Sequence, residues 1–295
     1  YSFSWISNER LIFRMKDRNN FPNRGLYAVN RDGSKSKVLN PSFKANREFG
    51  GRVFQGVELF DPLIDEGAEI LVEVRKGGGS FREDRAFYAN IVRLNTLTGK
   101  EERVVYNRGD IIEFVADREK TIRIGVVRHG LVRSILHRRD AKSEWEEVYS
   151  EDFRTAIAPL GFGKNPDILY VSAPNGDKKA LFQFDLKEKK LGRMIFAHPT
   201  YDVPAGPPII SDKTDKVIGV RYEAERSQVY WFNKDYQQYQ AMIDKSLPGM
   251  ANDIKNWSRS EDLILFHSHS EKTIGSYYLL DISNKKKPKM EKLLD

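Results

Sequence analysis

The chain has 295 residues and no cysteine, which excludes disulfides, thiolate catalysis and cysteine-ligated zinc. Hydrophobic residues make up 40% of the sequence and aromatic residues 12%, so the chain can bury a sizeable core and is not a disordered polypeptide. The formal charge of +7 arises from 49 Lys and Arg against 42 Asp and Glu, a spread mixture that does not predict nucleic-acid binding. No apolar run is long enough to predict a membrane span.

One strand-and-turn phrase recurs along the chain. Each copy consists of apolar and β-prone residues, a closing Asn or Asp and a polar turn, as in ALFQFDLKEKKLG at 180–192. The closing residues are Asn30, Asn95, Asp140, Asp185, Asn233 and Asp281. They are 45 to 48 residues apart after a first interval of 65, and a repeat of this length predicts one structural unit per copy.

A second phrase precedes the first in every repeat, running from an apolar or aromatic residue through a polar turn into an apolar strand. Its copies span residues 5–13, 64–74, 114–127, 162–172, 209–220 and 257–268. Each repeat therefore holds two strands rich in β-branched and aromatic residues, with room for one or two shorter strands. The best helical segment is residues 235–247, which is short and ends at Pro248.

Repeats of about 40 to 50 residues with four strands and little helix predict an all-β fold, a β-propeller with about six blades visible. We expect these blades to be part of a seven-bladed or eight-bladed propeller. A four-stranded blade has two apolar faces and cannot cover them alone, so Trp5 and Trp257, each just before a turn, are predicted to pack between blades. A β-sandwich rarely needs so many evenly spaced strands, and a parallel α/β sheet would need crossover helices that the sequence lacks.

Two segments depart from the regular pattern. The stretch between Pro41 and Phe60 interrupts the strand-and-turn rhythm, and we interpret it as a loop insertion that projects from one face of the propeller. Loops of this kind often contact a partner. The opening residues, YSFSWISNER, resemble the middle of a domain, so the propeller is expected to be incomplete at its N-terminus.

Few segments carry a recognisable catalytic pattern. The sequence holds neither the Gly-x-Ser-x-Gly of a serine hydrolase nor a GxxxxGK[ST] phosphate loop, and the nearest string, GGGSF at 77–81, predicts a flexible turn. His267 and His269 would share one face of a strand, but a metal site needs a third ligand, so we predict no bound metal and no cofactor. His198 precedes a proline and is predicted to lie in a loop between blades.

Most of the charged clusters are predicted to be solvated. Carboxylate pairs at 101–102, 146–147 and 151–152 are expected in turns, although a propeller glycosidase with converging carboxylates stays an alternative. A series of arginines would form the polar face of outer strands or line a channel. The series is Arg118, Arg123, Arg128, Arg133, Arg138 and Arg139. The basic run NKKKPK at 284–289 predicts a solvated turn or a linker.

Several segments together resemble a known family. WISNERLIF at 5–13 followed by GLYAVNRDGSKSKVL at 25–39 looks like the N-terminal propeller of bacterial prolyl oligopeptidase-type serine peptidases, the acylaminoacyl-peptidase and dipeptidyl-peptidase group. The similarity continues in order through residues 88–105, 143–153, 158–186, 197–203, 217–233 and 276–283. It therefore covers nearly the whole chain.

The resemblance implies that residues 1–295 are a propeller domain followed by an α/β-hydrolase domain that carries a Ser–Asp–His triad. No catalytic residue would then lie in this chain, and its own C-terminal hydrolase domain would be its partner. In the family the propeller restricts access to short peptides, so Arg221 and Glu223 in VRYEAER are predicted to contact peptide substrate. The glutamate pair of the dipeptidyl branch has only a poor counterpart in WEEVY at 145–149.

Relatives of this kind are often exported to the bacterial periplasm, which we favour over the cytoplasm, and a homo-oligomer is compatible with the resemblance. The alternative is a stand-alone binding or scaffold propeller. SDKTDKVIGV at 211–220 and SRSEDLILF at 258–266 carry a blade turn shared with TolB-like periplasmic propellers. This alternative predicts a protein partner on one propeller face and no hydrolase domain.

Overall fold

The computed structural model describes residues 2–14, 25–40, 43–46, 51–64, 67–76, 88–107 and 110–294. These residues form 24 strands and one helix, arranged as six antiparallel sheets in which neighbouring strands follow one another in sequence. The chain divides into two compact units, Tyr1–Glu151 and Asp152–Asp295, and each contains three of the sheets. The predicted all-β, β-propeller fold with about six blades is confirmed, and we number the sheets as blades 1 to 6.

The first unit contains blades 1 to 3. Blade 1 consists of β1 (Ser2–Trp5), β2 (Arg10–Arg14), β3 (Leu26–Asn30) and β4 (Lys37–Asn40). Blade 2 consists of β5 (Phe43–Asn46), β6 (Gly51–Asp61), β7 (Glu69–Lys76), β8 (Asn90–Asn95) and β9 (Glu101–Val105). Blade 3 consists of β10 (Ile111–Ala116), β11 (Ile122–His129), β12 (Val132–His137) and β13 (Glu146–Asp152).

The second unit contains blades 4 to 6 and the helix. Blade 4 consists of β14 (Ala158–Phe162), β15 (Ile168–Asn175), β16 (Lys178–Asp185) and β17 (Lys190–Phe196). Blade 5 consists of β18 (Ile209–Ile210), β19 (Val217–Glu223) and β20 (Ser227–Trp231), and the helix α1 (Lys234–Ser246) follows it. Blade 6 consists of β21 (Ala251–Trp257), β22 (Leu263–Ser270), β23 (Thr273–Asp281) and β24 (Lys289–Leu294).

The recurring Asn or Asp lies at the end of β3, β8, β12, β16, β20 or β23, or within three residues after it, and folds the turn that follows. At four of these positions one side-chain oxygen accepts the backbone N–H groups of the residues two and three places further on. The four are Asn95, Asp140, Asp185 and Asn233. Asn and Asp recur because their short side chains can hydrogen-bond the nearby backbone in this way.

Blades bury their apolar faces against neighbouring blades of the same unit. In β7, Ile70 and Val72 belong to a hydrophobic cluster shared with blade 1, whereas Leu71 belongs to a cluster shared with blade 3. Alternate residues of a strand point to opposite faces, so both faces of blade 2 are covered. In the second unit, blades 5 and 6 share a cluster with α1 that includes Ile218 and Phe266.

The predicted loop insertion between Pro41 and Phe60 is wrong. Residues 43–46 form β5 and pair with residues 51–54, the first part of the long strand β6, whose later residues pair with β7. The physical signal was alternation: Val57 is buried and Leu59 packs against the core, while Glu58 between them is exposed. The stretch therefore extends blade 2 as a hairpin.

Two further predictions about single residues were wrong. Trp5, predicted to pack between blades, is 40% exposed, whereas Trp257 packs against the cluster of blades 5 and 6. In the arginine series, Arg123 and Arg138 are buried rather than on a solvated face, at 4% and 6% exposure. Their guanidinium groups donate to backbone carbonyls, Arg123 Nε to Arg138 O and Arg138 Nε to Ile122 O, which accounts for the burial of two cations.

The predicted helix and the predicted basic turn both lie in the second unit. The helical segment 235–247 corresponds to α1, and the basic run at 284–289 lies in the exposed turn between β23 and β24. GGGSF at 77–81 lies outside the described residues. Among the residues that are described, no helix is both long and apolar enough to cross a membrane.

Candidate functional site

The two predicted site residues lie at the end of β19, where it turns into β20. The strand register places Arg221 opposite Val229 and Glu223 opposite Ser227. Arg221 lines a cleft in the second unit, whereas Glu223 is exposed at the hairpin end and does not line that cleft. The structure therefore does not bring the two residues into one pocket.

The cleft lies between blades 5 and 6 and has a volume of about 280 Å³. One wall is the β19–β20 hairpin, including Arg221 and Val229; a second is the latter half of α1, with Gln240 and Asp244; the third is residues 250–255, at the start of β21. We call this the blade 5–6 cleft. Its lining is largely polar, since the aromatic residues of α1 face the core rather than the cleft.

The helix α1 forms because a cap and an apolar stripe coincide. Asn233 caps its first turn, and Tyr236, Tyr239 and Ile243 are buried at the three- and four-residue spacing of one helical face. Asp235 in the first turn and Lys245 in the last turn complement the helix dipole.

The cleft forms because α1 contacts β20 at its N-terminal end and moves away from β20 towards β21 along its length. In its first turn the Gln237 side-chain amide donates to Trp231 O of β20 at 2.6 Å. One turn later, Gln240 donates instead to the backbone oxygen of Asn252 in β21, at 2.9 Å. The helix thus begins on blade 5 and ends on blade 6, and the space between the two forms the cleft.

Asn252 is a buried polar residue in the cleft wall. It is 8% exposed, and its amide nitrogen donates to Asp244 Oδ1 at 3.0 Å and to Leu247 O at 3.3 Å. Its Oδ1 is buried and accepts no hydrogen bond from any described residue. A buried acceptor without a partner costs free energy.

Of the charged residues that line the cleft, Arg221 and Asp244 form no ion pair within the described chain, and Asp244 Oδ1 accepts the side-chain amides of Gln240 and Asn252. Lys255 is held by Asp253 at 3.0 Å, and Arg226 lies 3.8 Å from Glu271. Among the described residues, no carboxylate lies within ion-pair distance of the Arg221 guanidinium, and no hydrogen bond to it is present. A guanidinium with five donors and no bonded acceptor is suited to bind a ligand carboxylate or carbonyl.

Asp253 also connects the cleft to the two strand histidines. His269 Nε2 lies 3.2 Å from Asp253 Oδ2, and the rings of His267 and His269 stack at 5.0 Å, on one face of β22 as predicted. Burial alone would raise the pKa of Asp253, but the hydrogen bond and charge of Lys255, together with His269, hold the pKa below its usual value. Burial, followed by the charges of His269 and Lys255, lowers the pKa of His267.

Other predicted chemistry is not assembled in the described residues. No group of three or more His, Asp and Glu side chains there could hold a metal ion. The carboxylate pairs at 101–102, 146–147 and 151–152 lie in or at the outer strands β9 and β13 rather than in turns, and most of their side chains are exposed. His198 lies in the loop between blades 4 and 5, where its Nδ1 accepts the backbone N–H groups of Thr200 and Tyr201.

Comparison with known proteins identifies the fold and not the family. No family model matches the chain, and no curated protein matches it. One of two prolyl endopeptidases studied for inter-domain dynamics matches with a TM-score of 0.59 and 15% identity, over 100% of this chain and 42% of that chain. An acylaminoacyl peptidase in complex with a chloromethyl ketone matches with a TM-score of 0.53 and 11% identity, over 99% of this chain and 46% of the other.

A puromycin-hydrolysing peptidase of Mycobacterium tuberculosis matches similarly, with a TM-score of 0.53 and 11% identity, over 96% of this chain and 42% of that chain. The chain thus spans less than half the length of each of these solved structures. At such low identity the similarity concerns the arrangement of the blades and carries no residue role across.

Proposed function

We propose that residues 1–295 are the propeller domain of a prolyl oligopeptidase-type serine peptidase, in which they control the access of short peptides to an α/β-hydrolase domain. One observation carries this proposal: the fold matches three peptidases along nearly the whole chain, with TM-scores of 0.53 to 0.59, while covering less than half of each. The ordered similarity of the blade phrases to that family supports it independently.

In this role the propeller binds and selects, and the chemistry belongs to the hydrolase domain. A narrow opening admits short peptides and excludes folded proteins, so the gate acts on access before any bond is broken. Arg221 and Glu223 are the proposed peptide contacts. Arg221 offers an unneutralised guanidinium in the blade 5–6 cleft, and Glu223 offers an exposed carboxylate at the adjacent hairpin end.

The proposal is tested on the protein as its source makes it. The native polypeptide is purified, its intact mass measured, and a fluorophosphonate probe used to label any activated serine, with heat-denatured protein as the control. We expect a mass well above the 34.1 kDa of residues 1–295, and one labelled serine outside them in a Gly-x-Ser-x-Gly sequence. A native protein of about 34.1 kDa that takes no label would contradict the proposal and favour the stand-alone binding propeller.

The contact role of Arg221 has its own kinetic test in the native enzyme without the fluorophosphonate probe, which would inactivate its serine. Arg221→Gln is expected to raise KM for short peptides about tenfold with kcat unchanged, because it removes binding that is equal in the ground and transition states. Arg193→Gln is the matched control, since Arg193 is an exposed arginine on β17 outside the cleft. Equal KM values for the two variants would show that Arg221 does not contact the substrate.

A further inference from the structure

Blade 5 ends one strand earlier than the other blades. Its sheet is β18–β19–β20, so β20 is its outermost strand, whereas each of the other sheets has four or five strands. The chain continues from β20 into α1 instead of a fourth strand. The outer edge of β20 therefore lies beside the blade 5–6 cleft, which Ser227 and Val229 line.

The backbone hydrogen bonds of the blade 5 sheet determine which backbone groups of β20 face this outer edge. Phe232 N donates to Ile218 O at 2.8 Å, and the register to β19 continues without a shift, so the even-numbered residues of β20 form the bonded pairs. In an antiparallel ladder the residues between bonded pairs direct their N–H and C=O groups away from the partner strand. In β20 these are Ser227, Val229 and Trp231.

Two contacts, one at the outer edge of β20 and one at the edge of β19 that faces away from β20, agree with this assignment. Trp231 O points outward, because it accepts the side chain of Gln237 from α1. On the other side, Arg221, opposite Val229, directs its carbonyl away from β20 and accepts Ala205 N at 2.8 Å. The helix thus covers the outer edge at Trp231, and by Gln240 it is bonded to β21.

The outward N–H and C=O of Val229 and Ser227 consequently have no partner within the described part of the chain. An uncovered strand edge beside a cleft is the surface to which an extended peptide adds as a further strand. At about 3.3 Å per residue the uncovered stretch is about 7 Å long, enough to pair with roughly three residues. The length suits a short peptide rather than a long strand of another protein.

The side chains around the edge indicate the chemistry of the ligand. Arg221 and Val229 form a non-bonded cross-strand pair, so their side chains leave the same face side by side, and the Arg221 guanidinium is unneutralised. Asn252 lies in the facing wall, where its amide nitrogen is held by Asp244 and by Leu247 O. A ligand with main-chain N–H and C=O groups and one carboxylate satisfies both the strand edge and the guanidinium.

The geometry points to binding of a carboxylate-bearing peptide by strand addition to the outer edge of β20, with the ligand main chain on Val229 and its carboxylate on Arg221. The inference rests on the proposed function for one point, that the ligand is a short peptide. Binding through the main chain tolerates many side chains, whereas the carboxylate sets the position of the peptide along the edge.

The first experiment identifies ligands without choosing a sequence. Pools of hexapeptides with randomised side chains are equilibrated with the full chain, and retained peptides are identified by mass spectrometry. One pool has free C-termini and no acidic residues, a second has amidated C-termini and acidic residues, and a third has neither carboxylate. We expect retention from the first or second pool, which assigns the carboxylate to the C-terminus or to a side chain, and little from the third. No retention from any pool, or equal retention from all three, overturns the inference.

The second experiment tests strand addition on the unaltered protein. Each backbone nitrogen of the best retained peptide is methylated in turn, which removes one N–H at a time. Strand addition predicts that methylation at alternate positions lowers affinity about tenfold, as expected for one lost hydrogen bond with its steric clash, while the positions between change little. Equal tolerance at every position would exclude an added strand.

Protein variants then locate the site. Val229→Pro removes the outward N–H, which makes no hydrogen bond to β19, and is expected to weaken peptide binding about tenfold. Val229→Thr retains this N–H and should bind the peptide with unchanged affinity. Arg221→Gln should abolish the preference for carboxylate pools, and Arg193→Gln should not. Thermal melts verify that each variant folds. Because binding is measured without any hydrolase, peptide binding by a protein that takes no fluorophosphonate label would retain this inference and reject the proposed function.

Discussion

Blades 4 and 5 begin alike and end differently. Asp185 at the end of β16 and Asn233, two residues after β20, each accept two backbone N–H groups at one side-chain oxygen. Asp185 accepts those of Lys187 and Glu188, and Asn233 accepts those of Asp235 and Tyr236. After Asp185 the chain turns back into the strand β17, whereas after Asn233 it continues as the helix α1.

The residues that follow decide between the two outcomes. Beyond Asn233 the apolar residues recur at helical spacing, and Tyr236, Tyr239 and Ile243 reach the core together. Beyond Asp185 the backbone reverses at Lys189, which adopts a positive φ of 52°, and the residues of β17 are mostly exposed. The same capping geometry therefore starts a turn or a helix, and the burial available downstream selects which one persists.

The largest effect is expected from Ile243→Ala, because Ile243 is fully buried in the cluster that joins α1 to blades 5 and 6. The cavity should lower the free energy of unfolding by about 3 kcal/mol. The matched change in blade 4, Met194→Ala on β17, removes a side chain that is 47% exposed and should cost about 0.5 kcal/mol or less. Denaturant unfolding measures both, and equal losses would show that α1 contributes no more core than an outer strand.

A smaller effect is expected at the shared capping position. Asn233→Ala removes the acceptor for two N–H groups and should lower the free energy of unfolding by about 1 kcal/mol, while Asn233→Asp and Asn233→Ser should retain most of it. Hydrogen exchange of the α1 amides should accelerate in the Ala variant alone. An unchanged exchange rate in that variant would mean that packing, without the cap, holds the first turn.

The smallest effect is expected on the pH dependence of stability. Only the turns that use Asp at the recurring position, and not those that use Asn, carry a side chain that can be protonated. The side-chain and backbone hydrogen bonds of Ser283 hold the pKa of Asp281 below its ordinary value of 3.8. The stabilisation from such a carboxylate is present above the unfolded-state pKa and is lost as the pH falls through the lower folded-state value. Between pH 5 and pH 2 the Asp281→Asn variant should therefore lose less stability than the wild type, as measured by thermal melts. An equal loss in the two proteins would show that the Asp281 carboxylate does not contribute to the pH dependence of stability.

The repeat and the central strands of every blade could be read from the sequence, because closing Asn or Asp residues and β-branched runs are local signals. The helix corresponds to the best helical candidate of the sequence, residues 235–247, which ends at Pro248. The hairpin within residues 41–60 was missed because it lengthens a blade instead of following the period, although Val57 and Leu59 alternate with Glu58 as in any half-buried strand.

The candidate site was only partly readable. Arg221 was singled out, but the groups that surround it come from α1 and β21, and their convergence depends on where the helix travels after Asn233. The free backbone edge at Val229 is invisible in the sequence because every residue has the same backbone groups. The one available signal was a helical segment in the place where the other repeats put a fourth strand. The burial of Arg123 likewise depends on carbonyls that only the fold brings near.

The cluster that α1 shares with blade 6 also affects the order in which the second unit can fold during synthesis. Each blade is made of strands adjacent in sequence, so its own ladder can close soon after it leaves the ribosome. In blade 5 a helix also waits for later residues, because α1 packs on Ile264, Phe266 and Leu280. At about 5–20 residues per second, these residues emerge a few seconds after α1, and during this interval its apolar face is exposed to water and available to a chaperone.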